Sequence, residues 1–140
     1  MRSLPILLPA ALIRARACPL ASIRQVRTWR LRFVERVPAG PRPAGWSDVV
    51  EAEAVRHADG PVELAGDGFR ALWDAPRPVA GPVRLRGELV VDPLDGLATT
   101  GRIHRLRLLT GAAARDLSAI PKDVDDDAAG VLVDLELGVT

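Results

Sequence analysis

The chain of 140 residues has no tyrosine and no asparagine, a single cysteine (Cys18), a single lysine (Lys122), and five aromatic side chains in all: Trp29, Phe33, Trp46, Phe69 and Trp73. Each scarcity removes a class of protein. One cysteine excludes an intrachain disulfide and any zinc site with several thiolates, and it fits a reducing compartment, so a cytoplasmic location is expected. Two histidines, His57 and His104, are too few for a histidine-rich metal site. A module that stacks successive bases needs a row of exposed aromatics. Only Trp46, in a Pro/Gly loop, reads as exposed here, whereas Trp29 and Trp73 read as core. Nucleic acid therefore finds little support as a partner. A net charge of +1 and a pI near 8.0 give no bulk attraction to nucleic acid or to an anionic membrane either.

What is abundant is arginine. There are 18 against the lone Lys122, in a background rich in Ala, Gly, Pro and Val that reads as the codon bias of a GC-rich bacterial genome. Arginine number is then weak evidence, and arginine position is better.

Residues 1–25 are rich in Leu, Ala, Pro and Arg, with neither helical nor strand periodicity. Arg2, the run Leu4 to Ile13 and Ala15-Arg16-Ala17 resemble the three parts of a signal peptide. Arg14 and Arg16 oppose cleavage and export there, while Pro5 and Pro9 interrupt the apolar run, which is too short for a membrane span. Arg16 also sits where a lipoprotein signal ahead of Cys18 would have a small residue. The expectation is an extension, disordered or loosely docked, ahead of a single domain over 26–140.

From Val26 onward, short runs alternate between apolar and polar residues and are separated by turn chemistry. Strands are expected over Val26 to Val37, Ser47 to Ala58, Pro61 to Ala65, Phe69 to Asp74, Pro82 to Thr110 in two runs, and Gly130 to Val139. Residues 38–45 read as a proline-rich loop, and GAAARDLSAI gives the best helix, near 112–119. The fold class is mainly β: a small, curved antiparallel barrel or sandwich of six to seven strands with one short helix. An oligonucleotide-binding-like barrel is one candidate, although the helix falls in the wrong place for it.

The two runs between Pro82 and Thr110 flank Pro93 and Asp95-Gly96 and are expected to form a hairpin. Matching their apolar faces sets Val83 against Leu108 and Leu85 against Leu106, with a bulge near His104 that returns Ile103 to the core. The opposite face then brings Arg84 to Arg107 and Arg86 to Arg105. Four guanidiniums in reach of one another are a seat for phosphate or carboxylate. The alternative partners of these arginines are Asp134 and Glu136, or Glu51 and Glu53, on neighbouring strands.

No catalytic signature stands out. Ser47 lacks the second glycine of a nucleophile elbow, and the GxGxxA match at Gly66 to Ala71 has no room for its helix. Asp123, Asp125 and Asp127 match the first ligands of a calcium loop, yet Ala128 stands where its glycine belongs. The expected function is a binding or interaction module whose arginine-bearing sheet face, with Arg84, Arg86, Arg105 and Arg107, holds an anionic ligand or an acidic protein surface, with no cofactor and no metal. The alternatives are a small enzyme using His57 or His104 with a carboxylate, and an oligomerisation domain that pairs through residues 131–139 as an exposed edge.

Overall fold

A computed structural model describes residues 2–36, 43, 46, 49–56, 60–111 and 113–138. In chain order these form β1 (Arg2–Pro9), α1 (Ala10–Arg14), β2 (Val26–Glu35), β3 (Val49–Arg56), β4 (Val62–Ala65), β5 (Arg70–Trp73), β6 (Gly81–Val91), β7 (Leu97–Thr110), β8 (Ala113–Leu117) and β9 (Ala128–Leu137). Eight strands close a barrel in the order β2-β5-β4-β3-β6-β1-β9-β7, with β7 pairing back to β2, and β8 is added on β7 as a ninth strand. The expected mainly β class and barrel are seen, with more strands than the six to seven foreseen. Two pairs, β1 with β6 and β2 with β5, are parallel rather than antiparallel.

The interior follows the alternation. Trp29, Leu31 and Phe33 of β2, Leu64 of β4, Ala71 and Trp73 of β5, and Val131, Val133 and Leu135 of β9 share one buried cluster, in which Phe33 meets Trp73 edge to face at 5.8 Å between ring centroids. Gly68, at φ +85°, turns the chain between β4 and β5.

Three expectations are corrected. The first is the loose extension: residues 2–9 are β1, which pairs with β9 from Arg2↔Leu137 to Pro9↔Gly130 and touches β6 at Leu7↔Val90. Ile6 and Leu8 are fully buried, as is Ile13 of α1. Proline at positions 5 and 9 hides the strand in the sequence, because Leu4, Ile6 and Leu8 do alternate once the prolines are placed on the opposite face.

The second is the helix near 112–119, whose residues 113–117 are instead β8, paired with β7 from Leu106↔Leu117 to Thr110↔Ala113. Alanine's helix preference is a few tenths of a kcal/mol per residue and yields to a ladder offered by the preceding strand.

The third is the hairpin between β6 and β7, which do not pair. Both run antiparallel to β2 and meet at Leu31, whose partners are Val91 in one ladder and Leu97 in the other. Residues 92–96 do turn, but the turn carries the chain across β2. Asp92 N–H donates to Arg30 O at 2.8 Å, and a Cβ on Gly96 would stand 2.6 Å from both Arg30 C and Leu31 N, so only glycine allows this crossing. Arg30 fastens the loop from outside, donating through Nε to Gly96 O and through Nη1 to Pro93 O.

The bulge near His104 is present, as a register shift between Ile103 and Arg105 in the ladder with β9, and Ile103 is buried. The terminal strand β9 lies between β1 and β7, so it is not the exposed edge that pairing through 131–139 requires. Ser47, His57 and most of the loop over 38–45 lie outside the described residues.

Candidate functional site

The barrel splits the four arginines of the expected cluster into two pairs, Arg84 and Arg86 on β6 and Arg105 and Arg107 on β7. Arg84 of β6 lies opposite Glu51 of β3 and pairs with it at 3.5 Å, both side chains exposed, while Arg86 lies opposite Val49. Arg105 of β7 holds Asp116 of β8, Nε to Oδ1 at 2.7 Å, and the buried Arg107 donates to Asp134 Oδ2 of β9 at 3.2 Å. In the sheet order β1 and β9 stand between β6 and β7. The four guanidiniums therefore do not converge, and Glu51 and Asp134, named as alternative partners, take two of them.

These pairs set the local carboxyl chemistry. The hydrogen bond from Arg105 holds Asp116 below the ordinary carboxylate range, and Arg77 does the same for Glu35 through two hydrogen bonds of 2.9 and 2.8 Å. Asp134 goes the other way. Burial pushes its carboxyl up, against the attraction of Arg107, Arg105 and His104, and its Oδ1 has no hydrogen-bond partner among the described residues. His104 is exposed at the bulge with no hydrogen bond to an acid among the described residues, and the described residues contain no group of three metal-ligating side chains.

Cations with no carboxylate partner among the described residues gather elsewhere, along the connection from α1 to β2. Helix α1 ends in a two-bond cap: Arg16 N–H donates to Ile13 O and Ala17 N–H to Leu12 O, at 3.0 and 2.9 Å. This cap puts Arg16 at φ +55°, in the left-handed position that glycine ordinarily fills. The connection then runs beside the segment after β8, with Ile120 N–H donating to Ala21 O and Ile23 N–H to Ser118 O, and enters β2 beside β7 through Arg24 N–H to Ile103 O. Arg24 is the other described non-glycine residue at positive φ, at +75°. Val26↔Arg102 continues the same border.

Folding the connection against residues 118–122 leaves a cleft of about 330 Å³ lined by Ile13, Arg16, Cys18, Leu20, Pro121 and Lys122. Among the described residues its wall contains two cations and no carboxylate. The nearest acids in sequence, Asp123 and Asp125, line a neighbouring cleft that shares Pro121 and includes Leu108, Arg115 and Leu117. Arg14, beside the site, donates to the Asp125 backbone carbonyl at 2.6 Å. Cys18 is half-buried, and burial raises its thiol above the ordinary value, so at neutral pH it is protonated and contributes an uncharged, polarizable wall.

This border is hidden in the sequence because residues 1–25 show no strand or helix period and read as an extension. One signal in the sequence does point to it: residues 1–34 contain seven arginines and not one aspartate or glutamate. No described helix is long and apolar enough to cross a membrane. Comparison with known proteins finds no matching family model, no matching curated protein and no matching solved structure.

Proposed function

We propose that the protein is a small cytoplasmic binding module that holds an anionic partner through exposed cations, and that Arg16 and Lys122, rather than the arginines of β6 and β7, do the holding. The observation that carries this reading is the cleft wall, in which, among the described residues, two cations stand without any carboxylate. Arg84, Arg105 and Arg107, in contrast, each face an acid. A guanidinium whose donors are not taken by an acid offers its full planar fork to a carboxylate or phosphate, and an ammonium adds a point charge. Nucleic acid is not the favoured partner: the closed circuit has eight strands where the oligonucleotide-binding barrel has five, and the cleft wall has no aromatic side chain among the described residues.

The test compares two double variants, Arg16→Gln with Lys122→Gln and Arg84→Gln with Arg105→Gln, by retention on heparin at rising salt. The first pair should weaken retention by about a hundredfold or more in affinity, since each of the two charge-assisted contacts removed contributes roughly 1.5–3 kcal/mol and tenfold is about 1.4 kcal/mol. The second should leave retention near wild type. The reverse pattern returns the site to the sheet face, and wild-type protein with no salt-sensitive retention rejects the anion reading.

A further inference from the structure

The cleft is not a bare anion seat, and its composition narrows the ligand. Resting on the anion reading above, we infer that it takes a small amphiphilic anion: a carboxylate head on an aliphatic body, about ten non-hydrogen atoms in all.

Four of the six lining residues, Ile13, Cys18, Leu20 and Pro121, present carbon or a neutral thiol, and Arg16 and Lys122 supply the charge. A bare inorganic ion would use the cations and leave the apolar wall wet. An uncharged hydrocarbon would fill the wall and leave both cations to solvent. Only a ligand with both parts is complementary to the whole lining, and clefts that are mostly apolar with a few placed polar groups are the ordinary form of a small-molecule site.

Size sets the length of the body. A volume of about 330 Å³ equals roughly eleven water volumes at about 30 Å³ each, which suits a head and a chain of seven or eight carbons. Leu20, with 55% of its surface exposed, is one of three large hydrophobic side chains left in solvent among the described residues, and it stands in this cleft. A bound chain would cover it. The neutral thiol of Cys18 adds no negative charge to compete with the ligand head.

The probes are octanoate, 1-octanol and acetate, titrated into the full chain by calorimetry. Octanoate should bind at least tenfold more tightly than either the alcohol or acetate, and Arg16→Gln with Lys122→Gln should remove that advantage. Leu20→Ser, at an exposed position, should weaken octanoate about tenfold. Octanoate no tighter than acetate, with heparin retention still dependent on Arg16, rejects the amphiphile and keeps the anion reading. Equal octanoate binding to wild type and to Leu20→Ser places any binding outside this cleft and also rejects it. Loss of both octanoate and heparin binding in wild type rejects the two readings together.

Discussion

At the scale of single residues, the cap of α1 sets stability against binding. Arg16 occupies a left-handed position that costs an L-residue about 1 kcal/mol relative to glycine. Arg16→Gly should therefore raise the urea midpoint by the equivalent of about 1 kcal/mol while weakening heparin retention; a lowered midpoint would mean that the side chain, not the backbone, decides this position. The carboxyls make a second residue-scale prediction. Burial pushes Asp92 up, but hydrogen bonds from Arg32 Nε and from the backbone N–H groups of Asp95 and Leu94 outweigh it and hold the group below its ordinary value. A depressed folded value contributes stability above the ordinary carboxylate range, lost as pH falls through the folded value. Asp92→Asn should thus be less stable than wild type at pH 7, by about 2 kcal/mol for the charged hydrogen bonds removed, and the two should converge toward pH 2. Asp134 has the opposite sign. Its raised folded value favours the folded state most at low pH, and that contribution is lost as pH rises through it.

At the scale of elements, the segments that decide the fold are β1 and the crossing at 92–96. Ile6 and Leu8 are fully buried in a strand held by β9 on one side and β6 on the other. Ile6→Ala and Leu8→Ala should each cost about 3 kcal/mol in denaturant unfolding, as large-to-small changes in a core do; losses under about 1 kcal/mol would mean that β1 is docked loosely after all. Gly96→Ala should cost about 2 kcal/mol or more, because its methyl meets the β2 backbone and neither strand can withdraw without opening a ladder. Hydrogen exchange at Leu31 and its neighbours in that variant would localise the damage. Alternation along β6 and β7 places Leu85, Leu89 and Leu106 in the core, where they are buried, but Glu88 and Arg107 of the expected polar face are buried as well. It was silent on partners, since an apolar stripe fits any antiparallel neighbour, and β2 rather than the hairpin mate took the place.

At the scale of the whole molecule, closure makes the parts interdependent. The ladder of β1 with β9 joins residues 2–9 to residues 130–137, and the barrel order places both strands inside the circuit. Removing residues 1–9 would expose the edges of β6 and β9 together and open the circuit, so the truncated chain should lose the near-ultraviolet signal of Trp29 and Trp73 along with its cooperative transition. A folded truncated chain with the wild-type midpoint would overturn this. Folding should also be slow for the size, in milliseconds to seconds, because most ladders join strands distant in sequence and their loop entropy is lost before contacts form.

The sequence by itself determined the class and much of the core. Period-two runs at β2, β3, β4, β5 and β9, and the burial of Trp29 and Trp73, follow from local alternation and aromatic area, which need no knowledge of partners. Only the tertiary structure decided that residues 2–9 are a central strand, that 113–117 extend a sheet, and that β6 and β7 flank β2. It also decided which arginines meet carboxylates and which remain beside an acid-free cleft. The reason is physical: a strand's pattern specifies which face is buried, but strand neighbours and the charges they bring are fixed by backbone ladders between residues far apart in the chain.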